Sequence, residues 1–520
     1  MKNRYIIGID QSTQGTKALL FDETGSLVCR TDKGHTQFVD QQGFIEHDPE
    51  EIYQNTLWVV KELMEKSGVS PLSVACVGIS NQRETAMAWN RKTGKPVHRA
   101  IVWQCARGEK ICLKLQEEGA EKDIRQRTGL RLSPYFSAAK LSWILQNVHE
   151  AAVLAKQEML CCGTMDSWLI YRLTGGKHFL TDYSNASRTQ LFHITDLKWD
   201  EVLCGYFHIP MTCLPEVKDS DGMFGCTDFE GILPGPVPIH GVLGDSHGAL
   251  FGQGCLSRGL MKTTYGTGSS IMMNIGETPF FSDLGIVTSL AWKAGGKVQY
   301  VLEGNVNYTG AVVTWMKDQA GLLTSAEEAE QLARKANPLD PTYLVPAFSG
   351  LGAPYWRSDV SAAFLGMSRT TGRAELVRAG LSSIAYQISD VVGIMKEAAG
   401  IDAVELRVDG GPTKNSWLMQ FQSDMLGSKV LASEVEEVSG LGAACMAGLG
   451  AGIYKDFLVS PGKRTEYTPQ MDQNERQLKY KGWKRAVDMV LNHTQADAKG
   501  YISTVPVLVK VLFICTCTLC

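Results

Sequence analysis

Residues 4–9, Arg4-Tyr5-Ile6-Ile7-Gly8-Ile9, run into Asp10-Gln11-Ser12-Thr13-Gln14-Gly15-Thr16 and then into Lys17-Ala18-Leu19-Leu20-Phe21. The pattern is an apolar strand, a short polar turn and a second apolar strand. A turn rich in hydroxyls and glycine aims several backbone N–H groups and side-chain oxygens at one point, which suits a phosphate group. Asp10 can hold a Mg²⁺ through water, and Lys17 can neutralise phosphate charge. Taken alone, a polar β-hairpin reads the same way. The chain has no Gly-x-x-x-x-Gly-Lys-Ser/Thr loop and no His-Arg-Asp kinase set, so other common phosphate signatures are absent.

The device recurs. Residues 260–265 form another expected strand, Tyr265-Gly266-Thr267-Gly268-Ser269-Ser270 the turn, and Ile271-Met272-Met273 the return. A third glycine-rich strand end, Val408-Asp409-Gly410-Gly411, precedes Asn415 and a helix. Around these lie expected strands at 73–79, 287–292 and 298–303, a long helix near 372–398 and a small-residue helix near 440–449. A helix start is expected at Asp48-Pro49-Glu50-Glu51, with Asp48 as N-cap and Glu51 completing a capping box. Strands alternating with helices indicate an α/β fold. Two halves that open alike indicate duplication, with a boundary near residue 254. The expected domains are 1–254 and 255–493, with a nucleotide clamped in the cleft between them and an apolar, Cys-containing tail at 494–520.

Length and composition agree with this. The 520 residues suffice for two to four domains at about 150 residues each. A net charge of -4 argues against general nucleic-acid binding. Hydrophobic residues at 44% and charged residues at 20% are ordinary globular values. The N-terminus lacks a signal core, and the 14 scattered cysteines, among them Cys76, Cys226 and Cys445, read as buried reduced thiols of a cytoplasmic protein. Residues 505–520 are too short to span a bilayer, and Lys510 interrupts them. No membrane span is expected.

Three such turns in a duplicated chain resemble the actin-like ATPase (ribonuclease H-like) superfamily. Further motifs narrow the resemblance: Asn81-Gln82-Arg83-Glu84-Thr85, Ile101-Val102-Trp103-Gln104-Cys105, Pro134-Tyr135-Phe136-Ser137 with Lys140, Asp182 to Arg188, Gly244-Asp245, and Ser349 to Trp356. From about residue 4 to about 490 they are similar to the FGGY carbohydrate kinases, and most closely to their glycerol-kinase branch. The resemblance implies ATP and Mg²⁺ as cofactors and a small polyol as the acceptor, and it is compatible with a homo-oligomer. It implies that Arg83, Glu84 and Tyr135 bind substrate hydroxyls, that Trp103 packs on the carbon chain, and that Asp245 is the general base beside Ser246. It places phosphates at Thr13, Gln14, Gly15, Thr267 and Gly310 and the adenosine side at Gly411 and Asn415, with Thr314, where the family often has Gln, and Lys17 as further nucleotide-site residues and Asp10 as the metal residue.

The chain also departs from that branch. Ser246 stands where Gln is usual and is followed by His247, Ser270 stands where Phe is usual, and Lys17 replaces a common Arg. The first two positions line the polyol site in the family, so a longer polyol or a ketose is the alternative acceptor. A catalytically idle nucleotide-binding regulator and a chaperone-type ATPase are the readings from other classes. Asp10, Arg83, Glu84 and Asp245 standing together argue against idleness.

Overall fold

A computed structural model describes residues 4–402, 405–455 and 462–497. The opening stretch forms the strands Tyr5–Gln11 and Gly15–Phe21, paired antiparallel with Asp10 opposite Lys17 and Gln11 opposite Thr16. Around them a six-stranded sheet runs in the order Met223–Thr227, Val237–Gly244, Val74–Asn81, Tyr5–Gln11, Gly15–Phe21, Leu27–Gly34. The three middle strands Val237–Gly244, Val74–Asn81 and Tyr5–Gln11 are mutually parallel. They are buried on both faces, as their near-continuous apolar sequences require.

The second half repeats this plan. Its seven-stranded sheet runs Val287–Ala294, Lys297–Val306, Ser269–Gly276, Met261–Tyr265, Glu405–Asp409, Lys429–Ser433, Arg464–Tyr467. Again an antiparallel hairpin meets two parallel strands and ends on an antiparallel edge. The fold is thus two duplicated actin-like α/β units. The expected strands and helices fall where the sequence put them, including the long helix, Arg373–Ala399.

The helix Val438–Gly450 belongs to the second half in sequence, yet it packs on the parallel strands of the first sheet and on the helix Asp245–Gly252. Its small residues make this contact possible. A Cβ on Gly442 would stand 1.9 Å from the Gly248 carbonyl oxygen, and one on Gly78 would stand 2.2 Å from that of Ala443. An apolar cluster joins Ile6, Leu19 and Leu250 of the first half to Met272, Val301, Leu441 and Ala444 of the second. The halves therefore share a layer instead of meeting at one linker.

Three expectations are corrected. Asp48 does cap the helix Pro49–Ser67, accepting from the Glu50 N–H, but Glu51 accepts from the Thr36 N–H and hydroxyl and closes no capping box. Cys226 is exposed, because it faces outward on the edge strand Met223–Thr227, whereas Cys76 and Cys445 are buried as free thiols. The last helix, Gln473–Asp497, runs into the start of the expected 494–520 tail. Residues 498–520 of the tail, with Cys515, Cys517 and Cys520, lie outside the described residues. Among the described residues no helix is long and apolar enough to cross a membrane.

Candidate active site

Asp10, the Arg83–Glu84 pair and Asp245 come from the carboxyl ends of three neighbouring parallel strands. Ligands of open α/β sheets bind at such ends. Asp245 opens the helix Asp245–Gly252, and its Oδ1 accepts from the Ser246 N–H at 2.6 Å. The same oxygen lies 3.2 Å from Arg83 Nε, while the carboxylate stays about one-third exposed at 36%. Arg83 itself is buried at 5%.

Arg83 and Glu84 are not each other's main partners, since Nε and Oε1 stand 4.0 Å apart. Arg83 instead donates both Nη groups to Glu303, at 2.9 and 2.8 Å. Glu84 accepts from Arg188 Nε at 2.6 Å, and Arg188 Nη1 lies 2.9 Å from Glu303. Both residues lie in the bend that follows the strand Val74–Asn81, and Glu84 adopts a left-handed φ of 58° that turns it away from Arg83. Such strain in a non-glycine residue persists where the surroundings over-determine it, and it concentrates at functional sites.

Trp103 and Tyr135 form a wall beside this cluster, their rings edge-to-face with centroids 5.5 Å apart. Trp103 donates its indole N–H to Thr13 Oγ1 at 2.9 Å, which ties the wall to the first turn. Lys140 donates to the carbonyls of Pro134 and Phe136 at 2.8 and 3.0 Å and so fixes the segment that carries Tyr135. Burial pulls the Lys140 ammonium down to about 7.

The buried charges set one another's states. Burial disfavours the Arg83 guanidinium, but Glu303 and Glu84 more than restore it and hold it above its ordinary range. Burial would raise the Glu303 carboxyl, yet Arg188 and Arg83 drive it well below the carboxylate range. His247, fully buried, is kept neutral by burial and by the charge on Arg83. Burial pushes the Tyr135 phenol far up, and Glu84 adds to this, so the ring carries a hydroxyl donor.

Asp10 differs. Burial raises its carboxyl to about 6 against the pull of Lys17, with Glu437 and Asp245 adding to the rise. Its Oδ1 is buried with no aligned donor. Among the described residues no three His, Cys, Asp or Glu side chains gather as a metal cage. One orphaned carboxylate beside a hydroxyl-rich turn suits Mg²⁺, which keeps most of its water and takes phosphate oxygens as further ligands. Lys17 is less free than the sequence suggested. It donates to Glu437 at 2.7 Å and lies 3.8 Å from Asp10, in a cluster that Arg30 completes at 2.6 Å from Glu437.

The second group of expected residues also assembles. The Gly310 N–H donates to the Gly266 carbonyl at 2.9 Å and the Thr309 N–H to that of Thr267 at 2.9 Å, joining the second turn to the helix Gly310–Asp318. Gly410 sits at φ 101° so close beneath that a Cβ would stand 2.0 Å from the Tyr265 carbonyl oxygen. Thr267 and Gly411 are exposed, as is Thr314 farther along the helix. Asn415 spends its side-chain oxygen on capping the helix Ser416–Leu426, accepting from the Leu418 N–H at 2.9 Å. Lys262 lies between the two groups, buried, donating to Thr264 Oγ1 at 3.2 Å with Ser270 Oγ at 3.5 Å.

Arg188, Glu303, His247 and Lys262 were not singled out as site residues. Arg188 ends a quoted motif, and Glu303 is a lone charge in the apolar run Val301-Leu302-Glu303-Gly304. A charge at a strand-core position is itself a signal, because such residues are almost never fully buried unless paired.

Residues 5–252 match the N-terminal domain, and residues 261–451 the C-terminal domain, of the FGGY family of carbohydrate kinases. The chain is 48% identical to glycerol kinase 1 of Thermotoga maritima over 490 residues, covering 94% of this chain and 99% of that protein. It is 45% identical to glycerol kinase of Francisella philomiragia, covering 94% and 98%. A solved structure of Plasmodium falciparum glycerol kinase with ADP superposes with a TM-score of 0.89 at 37% identity, covering 94% of this chain and 98% of that one. A xylulose kinase from Lactobacillus acidophilus shares the fold, with a TM-score of 0.83 at 20% identity.

Proposed function

The chain belongs to the FGGY family of carbohydrate kinases, and on that premise we propose that it phosphorylates a terminal hydroxyl of glycerol at the expense of ATP. The observation that carries this reading is the convergence of Arg83, Glu84 and Asp245 at adjacent strand ends, beside the wall of Trp103 and Tyr135. A polyol offers hydroxyls and no charge, so a site for it needs paired donors and acceptors next to an apolar face. Glu84 accepts from one hydroxyl, Arg83 and Tyr135 donate, and Trp103 covers the carbon chain. Ser246 lines the same end.

Asp245 takes the proton of the attacking hydroxyl as its oxygen bonds to the γ-phosphorus and the bond to the ADP oxygen breaks. A polyol hydroxyl ionises far above neutrality, so a carboxylate within hydrogen-bond reach is required. Thr13, Gln14 and Gly15 contact the phosphates from one side, with Thr267, Gly310 and Thr314 on the other. Gly411 and the amide nitrogen of Asn415 face the adenosine. Asp10 would hold a Mg²⁺, which would supply neutralisation of phosphate charge, the larger part of phosphoryl-transfer catalysis being electrostatic. Lys17 steadies Asp10.

We assign the two bodies to residues 1–254 and 255–493, with Val438–Gly450 as the bearing between them, and the location to the cytoplasm, where free thiols such as Cys76 persist. A longer polyol or ketose is the second reading. It is favoured by the hydroxyl of Ser270 and the buried ammonium of Lys262 beside the site. ADP release measured with glycerol, erythritol, ribitol, xylitol and xylulose tests both. Release with none of them overturns the kinase assignment, and release with any but glycerol as best substrate overturns the first reading.

A further inference from the structure

Glu303 lies on the strand Lys297–Val306 of the second half, fully buried. A buried carboxylate is strongly disfavoured unless its charge is matched and its oxygens are hydrogen-bonded. Both matches come from the first half. Arg83 closes a bidentate fork on it, and Arg188 Nη1 lies 2.9 Å from Oε2. The same two guanidiniums turn their Nε groups outward, Arg188 to Glu84 at 2.6 Å and Arg83 towards Asp245 at 3.2 Å. Glu303 is thus the shared anchor behind both carboxylates of the polyol site, while touching neither. Its strand packs closely on the long helix, for a Cβ on the adjacent Gly304 would stand 2.6 Å from Val391 Cγ1.

We infer that Glu303 is a positioning residue that makes assembly of the polyol site conditional on the two halves meeting. The inference rests on the proposed polyol site. With the halves together, the carboxylate fixes the plane of Arg83, so that one face of the guanidinium is spent and Nε alone faces Asp245. With the halves apart, Arg83 and Arg188 lose their common anchor, and Arg83 is free to close its fork on Asp245 and occupy the base. ATP then finds no competent acceptor site, which limits wasteful hydrolysis.

Glu303→Gln removes the charge and keeps the shape. Truncating one partner of a buried charged pair commonly weakens binding by about 10²-fold or more. The expected result is a fall of that size in kcat/KM for glycerol, carried mainly by KM, with KM for ATP within about twofold of wild type. Glu303→Asp keeps the charge on a shorter arm and should recover part of the loss. It also serves as the test variant if the Gln substitution does not fold. Small-angle scattering of either variant should show a weaker compaction with glycerol than wild type shows. A KM for glycerol within twofold of wild type in the variants overturns the inference. So does an equal rise in both KM values, and so does an Asp variant no better than Gln. Wild-type turnover of glycerol is measured first. Its absence refutes the proposed substrate, whereas wild-type turnover with unaffected variants refutes only the role of Glu303.

Discussion

The strand–turn–strand units at residues 5–21 and 261–276 share a frame and differ in what it carries. In each, the cross-strand pair next to the tip is the informative one: Asp10 opposite Lys17 in the first, Thr264 opposite Ser270 in the second. The neighbouring parallel strand offers Ser80 beside Asp10 and Asp409 beside Thr264. The acid has moved one strand over, and the lysine has become a hydroxyl. Backbone registry survives duplication because one slipped residue would turn every buried side chain outward. Charges at the tips are free to specialise. The first unit is charged and faces the proposed metal and base. The second offers hydroxyls and the exposed turn residues Gly266 and Thr267, the Gly266 N–H being spent on the Gly268 carbonyl.

If that division holds, neutralising acids on the first side has the largest effect. Asp245→Asn should lower kcat by roughly 10²–10⁴ with little change in KM for the polyol, the usual weight of a general base. Steady-state kinetics with glycerol decides it. A loss confined to KM would make Asp245 a binding group and would erase the chemical asymmetry between the sides. Arg83→Ala should follow, with kcat/KM for glycerol down by about 10²–10³, since it also strands Glu303 without a partner. KM for ATP should stay nearly constant. Equal rises in both would show that Arg83 serves the fold alone.

Much of this frame was legible in the sequence because local pattern encodes it. Apolar runs ending in Asp10, Asn81, Gly244, Tyr265 and Asp409 marked the strand ends, and helical spacing marked Arg373–Ala399. The partners of the charged residues were not legible. Arg83 meets Glu303 across 220 positions, and Lys17 meets Glu437 across 420. No local pattern records such a distance. The separation of Arg83 from Glu84, set by the bend and the left-handed φ at Glu84, was not legible either. The N-cap role of Asn415 was hidden by its expected nucleotide contact. The crossing of Val438–Gly450 onto the first sheet was visible only as an excess of small residues, which says that something comes close without saying what.

Asp10 gives a smaller effect with a definite sign. Its carboxyl stands at about 6 in the folded chain against an ordinary 3.8. The folded state therefore binds the extra proton, so its stabilising contribution is complete below about pH 4 and is lost as pH rises through about 6. That difference corresponds to about 3 kcal/mol at most. Without nucleotide or metal, wild type should lose thermal stability across that window. Asp10→Asn should flatten the profile and melt higher than wild type at pH 8. The matching change on the second unit, Thr264→Val, should leave the pH profile unchanged. Parallel profiles for wild type and Asp10→Asn would mean that Lys17 and Arg30 already neutralise this corner.

Ser270 sharpens the comparison from the second side, because it fills the cross-strand position that Lys17 fills in the first. Its hydroxyl stands 3.5 Å from the buried Lys262 ammonium and is itself half-buried. Burial lowers the Lys262 charge state preference, and Asp409 opposes that most strongly. A polar corner of this kind gains from a substrate oxygen and does little for a carbon chain. Ser270→Phe replaces it with an apolar wall. One apolar contact is worth about 1–3 kcal/mol, or roughly 10–200-fold in kcat/KM. The variant should therefore shift the ratio of glycerol to xylitol turnover towards glycerol by a factor in that range. The wild-type ratios for erythritol, ribitol, xylitol and xylulose set the baseline. If wild type already prefers glycerol more than tenfold over each, the corner admits no longer chain. Ser270→Phe should then reduce glycerol turnover by crowding the corner beside Lys262, because a filled site loses by overpacking.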